Sequence, residues 1–254
     1  MLLAFDVGNT NIDVGVFSGE TLRANWRMGS GQLRTGDEYA VMLESLFQFA
    51  HMRLDGVRNA IISCVMPPVL GPLSDFCRRY LHVEPLVVGP GVKTGMPILY
   101  DNPREVGADR IVTAVAAYEE FRRSVIVVDF GTATTFDFIS SRGEYMGGAI
   151  ATGLSIAAEA LFSKTSKLPR VEMVRPPKII ATNTVNSIQA GLFFGYTAMV
   201  DGLVAQMKAE AGEDPPVIAT GGLSAVIASG SSAIDRVDPL LAMKGLRILY
   251  ERNR

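Results

Sequence analysis

The chain is predicted to be an α/β protein made of two similar domains. Three observations carry this expectation. A short strand–turn–strand pattern occurs twice, helical and strand-like segments alternate after each copy, and no Pro-, Gly- or Ser-rich linker separates the halves. The first copy runs from Leu2 through Asp6, Gly8 and Asn11 to Phe17, and the second from Ser124 through Asp129, Gly131 and Thr135 to Ile139. Asp129 follows Asp6, and Gly131 follows Gly8, by 123 residues in each case. Each copy is an apolar strand, an Asp-x-Gly turn carrying hydroxyl or amide side chains, and a second strand.

In the first half, residues 2–7 and 12–17 are expected to be strands around a turn. Val41, Leu43, Leu46, Phe47 and Ala50 recur at helical spacing, which predicts an amphipathic helix from Asp37 to Met52 with Asp37 as N-cap. The apolar run Ala60–Val65 before Pro67-Pro68 predicts a strand entering a turn. Val69–Leu81 is expected to be a helix and Glu84–Val88 a strand. Residues 104–121 predict a helix with Ile111, Val112, Val115, Ala116 and Tyr118 on its apolar face. The domain boundary is placed near residue 115, giving domains 1–115 and 116–254 that pack closely and hinge. In the second half, helices are expected at Ile156–Ser163, within 184–211 and at 239–251, with a strand at Val217–Thr220 running into Gly221-Gly222.

Composition narrows the class. With 254 residues, 48% hydrophobic and 20% charged, the chain can bury one large core or two smaller ones. A formal net charge of −2 without a basic block disfavours a nucleic-acid partner. The N-terminus lacks a basic n-region, and Asp6 interrupts its apolar run, so no signal peptide is expected. No segment is read as membrane-spanning, which points to the cytoplasm and to no membrane partner. Cys64 and Cys77 are read as reduced thiols, and the isolated His51 and His82 argue against a zinc site or a His-dependent triad.

The chemistry is expected at the repeated turns. Gly8 permits close backbone approach to a phosphate, Asn9 and Thr10 add side-chain donors, and Asp6 at a strand end suits a hard cation such as magnesium held partly through water. Asp129 follows the wholly apolar Val125–Val128, where a carboxylate is costly without a cation or several donors. Thr132, Thr134 and Thr135 supply hydroxyls beside it. Two such turns predict two domains facing each other across a nucleotide cleft. Asp109, in the first turns of the interdomain helix, lies where the helix dipole favours a carboxylate. Gly221 and Gly222 allow a flat adenine or ribose to lie against backbone. Gly89–Gly95 is a decoy, because it fits neither G-x-x-x-x-G-K-[ST] nor G-x-G-x-x-G. Met42, Met52 and Met66 are read as core filler.

Together these signals resemble the acetate and sugar kinase, Hsp70 and actin superfamily, and within it the type III pantothenate kinase family. The resemblance runs essentially end to end. It rests on Asp6-Val7-Gly8-Asn9-Thr10-Asn11, Tyr100-Asp101-Asn102-Pro103, Gly107-Ala108-Asp109-Arg110, Asp129-Phe130-Gly131-Thr132, Gly147-Gly148, Lys167-Leu168-Pro169 and Asn183-Thr184. It implies two duplicated actin-like (ribonuclease H-like) domains, mixed five-stranded sheets flanked by helices, and ATP-dependent phosphorylation of pantothenate, the first step of coenzyme A biosynthesis.

By that resemblance, Asp6, Val7, Gly8, Asn9, Thr10, Asn11, Ile12 and Asp13 hold ATP phosphates, with Asp6 near Mg2+ through water. Thr132 also contacts ATP, and Asp129 binds a monovalent cation, K+ or NH4+. Asp109 is the general base, and Tyr100, Gly107, Ala108, Asp109, Arg110 and Thr184 contact pantothenate. The resemblance also implies a homodimer, with Thr184 acting near the neighbouring subunit's site. Two departures stand out. Thr152-Gly153 replaces the usual Pro-Gly, and Asp13 puts a negative charge beside phosphates, so its side chain is expected to point away. The alternatives are a non-catalytic regulator on the same fold, for which an intact Asp6, Asp109 and Asp129 set has no use, and a kinase for a sugar or other small alcohol.

Overall fold

In the computed structural model, which describes residues 1–254, the chain forms two compact units. The first comprises residues 1–97, 101–116 and 241–254, and the second 98–100 and 117–240. The C-terminal helix thus belongs with the first unit, although its residues follow the second in sequence. Each unit carries one five-stranded mixed sheet.

The first sheet contains β1 (Leu2–Val7), β2 (Asn11–Ser18), β3 (Thr21–Gly29), β4 (Asn59–Cys64) and β5 (Leu86–Val87), in the order β3-β2-β1-β4-β5. β1 pairs antiparallel with β2 and parallel with β4. Its helices are α1 (Gly36–Phe49) and α2 (Pro67–Phe76), with α3 (Ala108–Phe121) entering from residue 108 and α7 (Leu241–Asn253) closing the chain. Leu3, Phe5, Val14, Leu43, Phe47, Ile62, Leu73 and Phe76 form its buried core.

Local chemistry explains the boundaries. The N-cap of α1 is Thr35, not Asp37: Thr35 Oγ1 accepts from Glu38 N, and Glu38 Oε2 accepts from Thr35 N at 2.7 Å. This reciprocal box satisfies two donors at once, so it wins over a lone Asp cap. Pro67 and Pro68 start α2 where their missing N–H groups cost nothing. The expected helix to Leu81 ends earlier as α-helix, and Cys77–Leu81 continues as one π-helical turn closed by left-handed His82.

The second sheet contains β6 (Val125–Phe130), β7 (Ala133–Ile139), β8 (Tyr145–Thr152), β9 (Val217–Thr220) and β10 (Arg236–Val237), in the order β10-β9-β6-β7-β8. Read from the other end this is the first sheet again, with the repeated strand central, its hairpin partner on one side and a parallel strand on the other. Helices α4 (Leu154–Lys164), α5 (Thr184–Ala211) and α6 (Ser224–Ala228) complete the unit. Ile126, Val128, Phe136, Phe193, Val200 and Val217 lie in its core.

Helix α5 bears on the expectation that no segment spans a membrane. Its 28 residues include an 18-residue window of mean hydropathy 1.3, so length and composition alone would let it cross a membrane. Small residues dilute the run enough to hide it from inspection. Ile188, Ala190, Leu192, Phe193, Val200 and Val204 are instead buried in the core of the second unit.

Candidate active site

The two repeated turns occupy equivalent places in their sheets. Asp6 and Asp129 are each the penultimate residue of a strand whose other positions are buried. Each faces a hydroxyl on the neighbouring parallel strand, Asp6 opposite Ser63 and Asp129 opposite Thr220. The first turn closes with Gly8 N donating to Asn11 O at 2.9 Å, and the second with Gly131 N donating to Ala133 O at 3.0 Å. The second turn is therefore one residue shorter. Asn9 and Thr10 are exposed on the first, where their side chains are open to a ligand.

A polar row crosses the first sheet. Ser63, Asp6, Asp13 and Arg27 are successive cross-strand partners on β4, β1, β2 and β3. Directly opposed residues share a face, so Asp13 does not point away from Asp6. Its charge is contained differently: Arg27 Nε and Nη2 donate to its two oxygens at 2.7 and 3.1 Å. Asp6 Oδ1 and Ser63 Oγ are buried without a hydrogen-bond partner.

Asp109 belongs to the same unit and lies in the first turn of α3. Its Oδ1 accepts from Arg110 N at 2.8 Å. A Cβ on Gly107 would collide with that same oxygen, so glycine is needed for the carboxylate to fold back over the helix start. Burial raises the Asp109 pKa above the ordinary carboxylate range. Burial and the neighbouring Asp109 charge together push Asp6 up to about 7. The first unit thus brings Asp6, Asp13 and the Gly107–Arg110 turn into one electrostatic neighbourhood, in which Asp6 feels the charges of Asp109 and Asp13.

The second unit gathers the remaining residues in four places. Gly221, at φ +90°, sits so close to Asp129 that a side chain there would strike Asp129 Oδ1 and the Phe130 backbone. Gly221 O then receives Ser224 Oγ at 2.7 Å, and Gly222 is exposed beside it. Thr132 lies against Gly153, where a Cβ would collide with Thr132 O. Gly153 is also the N-cap of α4, so the glycine of the Thr152-Gly153 pair is required by packing. Tyr100 packs over Gly147, at φ +115°, with its ring 6.4 Å from that of Tyr145. Thr184 opens α5 after the N-cap Asn183 and lines an open cavity of 810 Å³ with Leu161, Leu168 and Ser187.

Two cation sites can be tested against these donors. An unpartnered, buried carboxylate oxygen at Asp6 fits a hydrated divalent ion, which would supply the missing partner. The cradle of Asp129 and the close Gly221 backbone fits a larger monovalent ion, which takes carboxylate and carbonyl oxygens. No group of three or more His, Cys, Asp or Glu side chains is placed to hold a metal alone.

Sequence reasoning missed Ser63, Arg27 and Tyr145. Tyr145 is buried and donates to Asp137 Oδ1 at 2.6 Å, which anchors the strand that supports Tyr100. The alternation of Leu22, Ala24, Trp26 and Met28 could have revealed the strand that carries Arg27. Nothing local marks Ser63 or Tyr145.

Residues 2–206 match the family model described as type III pantothenate kinase. The type III pantothenate kinases of Syntrophotalea carbinolica and Geobacter sulfurreducens are each 58% identical to this chain, and that of Pelobacter propionicus is 59% identical. All three alignments cover the whole of both chains. Among solved structures, a conserved putative Baf family transcriptional activator from Campylobacter jejuni aligns with a TM-score of 0.60 at 17% identity, over 99% of this chain and 98% of that one. A ROK family glucokinase from Streptomyces griseus, in complex with glucose and AMPPNP, aligns at 0.55 and 13% identity over 100% and 99%. These two likenesses concern the fold.

Proposed function

The chain belongs to the type III pantothenate kinase family, and we infer from that membership and the site geometry how its residues divide the work. It phosphorylates pantothenate with ATP, a step of coenzyme A biosynthesis. The observation that carries the mechanistic reading is the Asp109 carboxylate, held by Arg110 N at the start of α3 in the same unit as the Asp6 turn.

The primary hydroxyl of pantothenate attacks the γ-phosphorus of ATP, the bond to the β-phosphate oxygen breaks, and ADP leaves. Asp109 takes the hydroxyl proton. Its raised pKa brings it nearer the working pH, where a general base is most effective. The Arg110 N–H holds one carboxylate oxygen and so orients the other. The turn from Asp6 to Asp13 receives the phosphates through backbone N–H groups and the Asn9 and Thr10 side chains, and Thr132 contacts the nucleotide. Gly221 and Gly222 give the nucleoside a flat backbone surface. Such transfer depends on positioning and charge stabilisation. Mg2+ bound near Asp6 would neutralise charge on the phosphates, and K+ or NH4+ at Asp129 would add a fixed positive charge.

Tyr100, the Gly107–Arg110 turn and Thr184 are the pantothenate contacts in this reading. We place the enzyme in the cytoplasm as a homodimer. Support for the dimer is the apolar surface around Thr184, where Ile179, Ile180 and Val185 are exposed.

The test is ADP release with MgATP and pantothenate in potassium, ammonium or sodium salts. Pantothenate-dependent turnover that requires potassium or ammonium supports both the reaction and the Asp129 site. Turnover indifferent to the cation removes the Asp129 assignment. No turnover from folded, ATP-binding protein removes the kinase reading.

A further inference from the structure

The loop after β3 presents a cation to the first phosphate turn. Asn11 and Gly29 are cross-strand partners, and Ser30 N donates to Thr10 O at 3.0 Å, so residues 29 and 30 are tied to the turn itself. Arg34 reaches back to the same point: its Nη1 donates to Gly29 O at 2.7 Å and to Gln32 O at 3.4 Å. Two backbone carbonyls therefore hold the guanidinium beside residues that bracket Thr10.

What Arg34 lacks is as informative as what it has. Arg27, the other cation at this end of the sheet, is taken up by both oxygens of Asp13. Arg34 makes no ion pair. The nearby Glu38 carboxylate is occupied by the backbone and hydroxyl of Thr35. A guanidinium has five N–H donors, and its bonds to the backbone use only Nη1. Ser30 Oγ, next to Gly29, is fully buried without a hydrogen-bond partner, and the buried Tyr39 OH lies beside the guanidinium. Buried polar groups are nearly always paired. A buried orphan hydroxyl and an arginine without an ion pair beside this turn mark a place that a polyanion completes.

We propose that Arg34 is a further phosphate contact of this enzyme, its guanidinium held by the Gly29–Thr35 loop to meet the terminal phosphate of the nucleotide. The proposal rests on the kinase reading of the Asp6 turn. Planar, permanently charged guanidinium suits phosphoryl oxygens, and the charge matters most when it spreads over the transferring group. The interaction distinguishes ATP from ADP, because only ATP carries the group that Arg34 meets.

The experiment compares unmodified enzyme with Arg34→Gln and Arg34→Lys. Wild-type turnover with pantothenate is measured first, and its absence would count against the kinase reading, not against Arg34. With wild type active, Arg34→Gln is expected to lose on the order of 10²-fold in kcat. It also loses the preference for AMPPNP over ADP in equilibrium binding, and Arg34→Lys recovers part of both. Wild-type kcat in Arg34→Gln, or reduced kcat with the AMPPNP preference intact, overturns the proposal. Should Arg34→Gln fail to fold, the Arg34 Nε–Hε resonance of the unmodified protein decides. It is expected to shift with MgAMPPNP and not with MgADP, and an equal response to both, or to neither, overturns the assignment.

Discussion

Asp13 lies directly opposite Asp6 on the β1–β2 ladder, and Arg27 closes over both of its carboxylate oxygens. A second negative charge beside the Asp6 turn is thus neutralised by its next neighbour across the sheet. The pair is partly exposed, so its contribution to stability is small, about 0–1 kcal/mol. In the proposed reading its effect is on nucleotide binding. Arg27→Gln is expected to raise the KM for MgATP by about 2–10-fold at low salt, the scale of one partly screened charge. Asp13→Asn in the same protein restores it. Steady-state kinetics at two ionic strengths decides, and an unchanged KM in Arg27→Gln would show that Asp13 has no influence on the phosphates.

Asp109→Asn keeps the shape of the side chain and removes its basicity. Turnover should fall by about 10²–10⁴-fold, the range for a lost general base, with the KM for pantothenate little changed. Near-normal turnover by a folded Asp109→Asn protein would take the proton-acceptor role away from this residue.

The raised Asp6 pKa makes a prediction about metal-free stability. The folded protein holds a proton on Asp6 up to about pH 7, whereas an unfolded Asp releases it near the ordinary carboxylate value of 3.8. The folded state therefore binds more protons than the unfolded state between these limits, and stability falls as pH rises through them. Asp109 is raised in the same direction. In EDTA, the midpoint of thermal unfolding should drop between pH 4 and pH 7, and Asp6→Asn should flatten that slope. Mg2+ should restore stability at pH 7. A slope that persists unchanged in Asp6→Asn would assign it to other groups.

Gly221 carries a prediction for the second turn. Its positive φ and its contact with Asp129 leave no space for a side chain. Gly221→Ala should cost about 1–3 kcal/mol through backbone strain. It should also blunt any potassium or ammonium activation, because Asp129 must move. Thermal unfolding and cation titrations of activity test the two effects separately. A variant as stable and as cation-dependent as wild type would contradict both.

The fold was legible because the strands that matter most are the most apolar. The runs at 2–7, 59–64 and 125–130 are strongly hydrophobic, and the turns between them carry glycine. β8 was not legible. Its Gly147 and Gly148 look like loop residues, yet a Cβ at Gly148 would collide with Phe136 O, so tight strand packing requires the glycine. β10 has only two residues, too few for any period to show, whereas β5 lies within the strand expected at Glu84–Val88. At the site, Asp6 and Asp109 were visible as motif residues, but the partners that tune them were not. Ser63 and Arg27 become neighbours of the turn only through the strand register, which depends on pairing across more than 50 residues for β1 and β4.

The apolar surface around Thr184 leads to the last prediction. Ile180 is 80% exposed and Ile179 64%, and Val185 lies one residue beyond Thr184. Exposed apolar groups gathered near one cavity mark an interaction surface more often than a free one. If a second copy of the chain covers them, a charge placed there must be desolvated on association, which is costly. Ile180→Glu is then expected to shift the protein from dimer to monomer in light scattering at micromolar concentration, with no loss of thermal stability in the monomer. Because Thr184 lies beside this surface, the KM for pantothenate should rise in the same variant while nucleotide binding by the first turn is retained. A protein that stays dimeric after Ile180→Glu would place the subunit interface elsewhere. One that is monomeric before the change would remove the homodimer from the reading.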